Sequence, residues 1–459
     1  MAIIESMYFG QCSNPIHLSD SNSNKITILL GVNGTSKSRI LRALLDDAVS
    51  SISENVPEAV LFSDIDLSNA CLPTYYSRPK KVIAISSVPT DRFPTKSRFS
   101  TFRAKKTIHD INEYEYIGPK HNSNLVSRMQ SLEALITLSL SNKKATDAQY
   151  DFIRKLSLKT NVPYNFNVRV LNAELMSSII SSDFVSGNGR NRVEDVLRAA
   201  PDIQEKINNP AWVSKSFMIL KKIIESRELS FSLNGDINHD ENYDDVLLDH
   251  LKIKSIKLSS KLSTYNTKNN NKKSIHGIDH FSSGQWGLFS SLSALSLSVV
   301  DNTMILIDEP ESTLHPSWQR SYIDDLLQAI SHVKGCHVFI ATHSPLLVNS
   351  LPDGCGEIIL LKKENNEISA KKIDSPPHGW SANDTLESFF DLESTRPVLI
   401  VNMIERALSL VSGGFVNNKF ELTEILPELD ELAESLPEED DLKSIVLSLV
   451  KAIRKGVSK

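Results

Sequence analysis

Met304-Ile305-Leu306-Ile307-Asp308-Glu309-Pro310-Glu311-Ser312-Thr313-Leu314-His315-Pro316 is the stretch that decides the fold of this 459-residue chain. Its four leading apolar residues, rich in β-branched types, read as a short strand buried on both faces. Such a strand suits an α/β domain, in which helices cover the sheet. Pro310 lacks an N–H and stops the ladder. Asp308 and Glu309 then stand side by side at the strand's C-terminal edge, where they could hold a hydrated metal ion and activate a water. A buried strand ending in a solvated acidic turn would look the same from these residues alone, so the rest of the chain has to discriminate.

Far upstream, Lys25-Ile26-Thr27-Ile28-Leu29-Leu30 is a second strand candidate. It is followed by Gly31-Val32-Asn33-Gly34-Thr35-Ser36-Lys37-Ser38 and by a helix from Arg39 to Val49, with Ile40, Leu41, Leu44, Leu45 and Ala48 on one side. Strand, glycine-containing loop and helix in that order form a phosphate cradle. Gly31 permits the sharp turn, and Gly34 lets backbone N–H groups approach phosphate oxygens. Lys37 reaches the outer phosphates, Ser38 offers a hydroxyl to Mg²⁺, and the helix start favours negative charge. Asn33, Thr35, Ser36 and Arg39 complete the set of candidate nucleotide contacts. Ser36 stands where such loops carry a second glycine, and a left-handed backbone there would cost of order 1 kcal/mol or more.

Composition sets the outer bounds. Length suggests roughly two to three domains, and the apolar and charged fractions are those of a soluble globular protein. A net charge of -6 gives no global pull toward nucleic acid or anionic membrane. No apolar run approaches the ~18 residues of a membrane span. The N-terminal Met1-Ala2-Ile3-Ile4-Glu5 has neither the basic nor the apolar region of a signal peptide. Cys12, Cys71, Cys336 and Cys355 are scattered, without zinc or redox spacing, which fits reduced thiols in a cytoplasmic protein.

The middle of the chain holds no recognisable catalytic motif. Lys80 to Ser87 reads as a strand, followed by a loop through Val88–Pro94. Arg78 to Lys106 carries nine basic residues and one acid, Asp91, a run that could meet phosphate backbones or simply be a solvated edge. Helices are expected over Leu125–Leu140, after a capping box at Thr146–Gln149, and near Asn172–Ser181, Arg192–Ala200 and Val213–Arg227. Prolines 119, 163, 201 and 210 keep them short, so no long coiled coil forms. Asn234–Asp245 reads as an exposed polar loop. Lys252 to Lys273 has seven lysines and no acid, and reads as a strand or hairpin with a basic tip.

Phe281-Ser282-Ser283-Gly284-Gln285 opens another helix, through Trp286, Leu288, Leu292, Leu295 and Val299. It offers a second anion nest from serine hydroxyls at a helix start. After a helix through Tyr322–Ile330, Cys336-His337-Val338-Phe339-Ile340-Ala341 is another buried strand, ending in Thr342-His343-Ser344-Pro345. A histidine there could face a phosphate or an attacking water.

In this order the motifs resemble those of ABC-type ATPases. Gly31–Ser38 looks like a Walker A loop, Phe281–Gln285 like the signature and Met304–Glu309 like Walker B. Ser312–His315 looks like a D-loop and Thr342–Ser344 like an H-loop. The resemblance implies an ABC-type head, a mixed sheet with flanking helices, interrupted by a large, mostly helical insert and followed by a helical C-terminal region. The expected divisions are 1–77 and 281–375 for the head, 78–280 for the insert and 376–459 for the tail.

It also implies ATP with Mg²⁺ bound between two copies of the chain. Lys37 and the loop would hold phosphates, Ser38 and Asp308 the metal. Glu309 would polarise the water and His343 sense the outer phosphate. Ser283, Gly284 and Gln285 would act on the other copy's nucleotide, with Ser282 beside them a further nucleotide-binding candidate. The family's Q-loop glutamine has no clear counterpart, Gln130 and Gln149 being candidates.

Within the superfamily, the compact insert and the absence of heptads are similar to AAA-21-like ATPases of bacterial anti-phage defence. The Toprim-bearing type fits poorly, because Asn402 stands where its metal-binding glutamate belongs and Leu399–Leu410 reads as a helix. The Septu ATPase type, PtuA-like, works with a separate HNH-type nuclease, and this chain holds no nuclease motif of its own. Two other readings stay open: a DNA-repair or DNA-tethering ATPase that binds nucleic acid itself, and an ATP-sensing scaffold with little turnover. The tail Glu421–Asp441, with ten acids and no base, has Leu422, Ile425, Leu426, Leu429, Leu432 and Leu436 at helical spacing. That helix could dock a basic partner or pack on its own subunit.

Overall fold

The computed structural model describes residues 3–9, 15–18, 23–52, 71–88, 90–95, 108–120, 128–142, 145–172, 206, 209–233, 241–252, 256–265, 273–364, 367–374, 376–392 and 394–457. Residues 173–181 and 192–200 of the expected helices, 234–240 of the expected 234–245 loop and the 266–272 tip lie outside them, while 241–245 of that loop are helical instead.

The chain begins with strands β1 (Ile4–Phe9), β2 (Ile16–His17) and β3 (Lys25–Leu30), then helix α1 (Lys37–Ile52). Strands β4 (Cys71–Tyr75), β5 (Lys81–Ser86) and β6 (Tyr114–Ile117) follow. Next come α2 (Arg128–Ser141), α3 (Asp147–Thr160), β7 (Asn165–Val170), α4 (Pro210–Ser226), β8 (Glu228–Ser232), α5 (Glu241–Lys252), β9 (Leu258–Tyr265) and β10 (Lys273–Gly277). Helix α6 (Ser283–Ser298), β11 (Thr303–Asp308), α7 (Tyr322–Ala329), β12 (His337–Thr342), β13 (Gly356–Glu364) and β14 (Glu367–Ile373) complete the first compact unit, Met1–Trp380.

Seven strands form the main sheet in the order β14-β13-β3-β12-β11-β5-β6. All neighbours are parallel except the β13–β14 edge pair. Strands β3, β11 and β12 are buried at every position, which is why their sequences are mostly apolar rather than alternating. Helix α1 lays Ile40, Leu41, Leu44, Leu45 and Ala48 on one face of the sheet, in one core with Ile4, Met7, Val82, Leu306 and Phe339. A small antiparallel sheet, β2-β1-β4, adds its apolar side to that core. This is an α/β architecture, a mostly parallel mixed sheet with flanking helices, as the sequence leads one to expect.

Strand β5 pairs with β11, and β6 with β5, so residues 81–86 and 114–117 belong to the head sheet although the sequence divisions put them at the start of the insert. The region that follows is rich in helix but also holds a four-stranded antiparallel sheet, β10-β9-β7-β8. Its β9–β10 hairpin matches the expectation for 252–273. Strand β7 was missed, though Phe166, Val168 and Val170 alternate with polar neighbours and are buried.

The second compact unit, Ser381–Lys459, contains α8 (Ala382–Phe390), α9 (Val398–Ser412), α10 (Lys419–Ser435) and α11 (Asp441–Val457). The apolar stripe of the acidic helix α10, through Leu422, Ile425, Leu429 and Leu432, packs with Ala407, Val446, Leu449 and Ile453 inside this unit. Arg396 closes the bundle with two hydrogen bonds to Asp440, at 2.7 and 3.1 Å. Among the described residues no helix is long and apolar enough to cross a membrane.

Candidate functional site

Register places the chemistry. Leu30 pairs with Thr342, Asp308 with Ala341, and Asp308 with Ser86, so β3, β12, β11 and β5 end together. Whatever follows each strand therefore meets at the C-terminal edge of the sheet, where open α/β sheets bind ligands.

The loop after β3 is shaped by its backbone. A Cβ on Gly31 would lie 2.6 Å from the Leu361 carbonyl oxygen, so only glycine fits. Gly34 has φ 89°, and Ser36, in place of a second glycine, has φ 63°. A serine in that left-handed region costs about 1–2 kcal/mol. The Ser36 carbonyl accepts from the N–H groups of Arg39 and Ile40 at 3.0 Å each, which starts α1. The Thr35 hydroxyl donates back to the Val32 carbonyl at 2.8 Å. Lys37 is buried, and its ammonium donates to the Gly31 and Val32 carbonyls at 2.8 and 3.3 Å. It also lies 3.4 Å from a Glu309 oxygen. The first turn of α1 has no acidic residue, so the helix N-terminus keeps its pull on anions.

At the end of β11, buried Asp308 accepts a 3.0 Å hydrogen bond from the Ser38 hydroxyl. Burial pushes its pKa up to about 6, with the Ser38 hydrogen bond opposing. A buried carboxylate costly to ionise beside a hydroxyl is a donor pair that suits a hard divalent cation. Glu309 has φ 48°, a strained conformation that turns its side chain out of the strand path. Its N–H donates to the Ala341 carbonyl, which ties the strained residue to β12. His343 Nδ1 lies 2.5 Å from Glu309 Oε2. Burial would lift Glu309, but the His343 hydrogen bond and the Lys37 charge hold it below the usual glutamate range. The same hydrogen bond raises His343.

Sequence reasoning overlooked Glu311. It is buried behind this pair and accepts from the Thr342 hydroxyl at 2.5 Å and the His343 N–H at 2.8 Å. Burial and the nearby Glu309 charge raise it to about 7. It fixes the turn that carries His343 to the turn that carries Glu309.

A cavity of about 390 Å³ opens beside the loop. Asn33, Gly34, Ser36, Lys37, Ser38 and Arg39 line it with Glu309, and so do two residues outside the sequence-predicted site, Arg92 and Lys363. A volume of that size is within the range of small-ligand sites. Gln130 and Gln149 do not line it. Gln149 instead serves the capping box of α3, as the sequence had it, and donates to the Ser296 carbonyl. Other members of the basic run near Arg78 are engaged elsewhere: Lys81 pairs with Glu115 at 2.8 Å, and Arg78 lies over the Tyr75 ring.

Ser282, Ser283, Gly284 and Gln285 line a separate hollow of about 360 Å³ with Thr313, His315, Ser317 and Trp318. Ser282 caps α6, its hydroxyl accepting from the Gln285 N–H at 3.1 Å while Gln285 Oε1 accepts from the Ser282 N–H at 2.8 Å. A Cβ on Gly284 would come within 2.5 Å of the Thr313 carbonyl oxygen. Ser282 and Ser283 are exposed. The two sets of sequence-predicted residues are thus each assembled, in different hollows.

A family model described as "AAA domain, putative AbiEii toxin, Type IV TA system" (AAA_21) matches residues 152–349. Septu protein PtuA of Bacillus mycoides (strain KBAB4) is 31% identical over 118 residues, 25% of this chain and 16% of that protein. The matched segment thus spans well under a fifth of that relative's length. Among solved structures, an Smc head bound to the C-winged helix domain of ScpA is 12% identical, covering 81% of this chain and 98% of that one at a TM-score of 0.30. An Smc head domain with an extended coiled coil, bound to the C-terminal domain of ScpA derived from Pyrococcus furiosus, is 10% identical. It covers 81% of this chain and 96% of that one at a TM-score of 0.31. With its AAA_21 segment and its strand-edge constellation, the chain resembles AAA-like ATPases, PtuA among them.

Proposed function

We propose that this chain is the ATP-binding and hydrolysing subunit of a bacterial anti-phage defence system. In this reading two copies close head to head around ATP and control a separate HNH-type nuclease. The observation that carries it is the junction at one sheet edge of the phosphate loop, the Ser38–Asp308 pair and the Glu309–His343 pair.

Each residue has a task that follows from its surroundings. The loop N–H groups and the start of α1 bind phosphate oxygens. Lys37, already buried among them, supplies compensating charge. Ser38 and Asp308 would hold Mg²⁺, which supplies charge stabilisation at the phosphates. Glu309, kept ionised near neutral pH, accepts a proton from the attacking water, and His343 orients it. The exposed hydroxyls of Ser282 and Ser283 do not share the first cavity, which favours their serving the nucleotide of a second copy.

Glu309→Gln should retain ATP while losing turnover, and with ATP it should sediment as a dimer. Lys37→Ala should bind poorly and stay monomeric. Normal hydrolysis by Glu309→Gln, or ATP binding unaffected by Lys37→Ala, would overturn the assignment. The nuclease part is tested by co-purification with an HNH protein encoded beside this chain. A permease in that position would sink it.

A further inference from the structure

The cavity beside the phosphate loop carries two cations to which the proposed function assigns no role, Arg92 and Lys363. Lys363 stands on β13, which pairs with β3, and Arg92 on the turn after β5, which pairs with β11. Four sheet spacings separate β13 from β5, about 19 Å, and the β3 loop lies between them. With Lys37 and Arg39, they set four basic side chains against one acid, Glu309, on the cavity wall.

The backbone under Arg92 is held from several directions. The buried Asp91 carboxylate accepts from the Phe93 N–H at 2.8 Å, the Tyr116 hydroxyl at 2.7 Å and the Lys120 ammonium at 2.8 Å. Tyr114 donates to the Pro94 carbonyl at 2.6 Å, and Arg42 donates to the Arg92 carbonyl at 2.8 Å. Phe93 is buried in the core beneath α1. All of this leaves the Arg92 side chain itself exposed at the cavity, without an acidic partner among the described residues. Lys363 is exposed too. A rigid turn that buries its acid and its aromatic while presenting a lone guanidinium to a phosphate-sized space is a preorganised anion contact.

We propose that Arg92 and Lys363 grip the phosphate chain of a nucleoside triphosphate from the two flanks of this subunit's own site, with the Asp91–Tyr116–Lys120 clamp positioning Arg92. The proposal rests on the nucleotide-site reading above and adds to it the residues that select a polyphosphate over a single phosphate.

The test is a calorimetric titration of the full chain with ATP and AMP, using wild type, Lys37→Ala, Arg92→Ala, Arg92→Lys and Lys363→Ala. Arg92→Ala and Lys363→Ala should each weaken ATP about tenfold or more, the effect of one charge-assisted contact. AMP affinity should hardly move, Arg92→Lys should recover part of the loss, and apo melting temperatures should not change. If both alanine variants bind ATP like wild type while Lys37→Ala does not, this inference is wrong and the nucleotide site stands. If only one loses affinity, the flanking grip is overturned for the other. A wild type that binds no ATP would overturn both.

Discussion

His343 Nδ1 and Glu309 Oε2 lie 2.5 Å apart across the C-terminal ends of two adjacent parallel strands. The contact lowers one pKa and raises the other, so it has a defined pH window. The depressed Glu309 contributes stability above about 4.5 that is lost as pH falls through its folded value. The raised His343 contributes stability below about 6.5 that is lost as pH rises through its folded value. A double-mutant cycle with Glu309→Gln and His343→Gln, read by thermal unfolding, should therefore show coupling at about pH 6 and much less at alkaline pH. Equal coupling at both would mean a neutral hydrogen bond. His343 is half exposed, so the effect is modest and salt-sensitive.

Asp308 works in the opposite direction. Its folded pKa of about 6 against 3.8 means that at pH 7 the ionised, buried carboxylate costs about 3 kcal/mol of stability. That cost fades as pH falls from about 6 toward 4. Asp308→Asn should raise the melting temperature measured in chelator at pH 7 and should abolish the Mg²⁺ dependence of nucleotide binding. A variant less stable than wild type would show that the ionised form is better compensated than its surroundings indicate.

Ser36 carries backbone strain at φ 63° in the middle of the phosphate loop. Ser36→Gly removes a left-handed penalty of about 1–2 kcal/mol and gives back about 0.5–1 kcal/mol of unfolded-chain entropy. A net gain of about 0.5–1 kcal/mol in denaturant unfolding is expected, with unchanged or tighter ATP binding. A loss of stability would place the Ser36 hydroxyl in a contact that outweighs the strain.

Gly284→Ala and Gly287→Ala form a matched pair on α6. At Gly284 a Cβ meets the Thr313 carbonyl oxygen at 2.5 Å, whereas at Gly287 the nearest atom is the Thr313 hydroxyl oxygen at 3.6 Å. The first should destabilise the isolated chain by about 1–3 kcal/mol. The second should be neutral or stabilising by up to about 1 kcal/mol, as Gly→Ala in a helix generally is. Chemical denaturation of both, without nucleotide, checks the difference. Equal effects would show that α6 and the Thr313 turn can separate freely.

Much of the head was legible because its signals are local. Strand, loop and helix around Gly31–Ser38 follow from an apolar run, two glycines and a 3.6-residue period. The capping box at Thr146 follows from residue spacing and forms as expected, and the helix start expected at Ser282–Ser283 is there, closed by a second capping box. What escaped notice was non-local. Strands β5 and β6 resemble many short strands, and nothing in Lys81–Ser86 says that it pairs with β11 more than two hundred residues later. Neither Arg92 nor Lys363 has a site role in the sequence reading, and Glu311 looks like any acid in a polar turn until Thr342 and His343 are found donating to it.

The sequence by itself determined the pieces: two carboxylates at a strand end, a phosphate loop with a serine in a glycine position, and a serine-capped helix. Backbone conformation and capping depend on neighbours a few residues away, so they survive in a one-dimensional reading. Tertiary structure alone decided which pieces share a site. Parallel registry brings Leu30, Asp308 and Thr342 to a common edge, so the loop, Glu309 and His343 meet there, while Ser282–Gln285 open on a different hollow. Strand order is set by burial across hundreds of residues, and no local spacing encodes it.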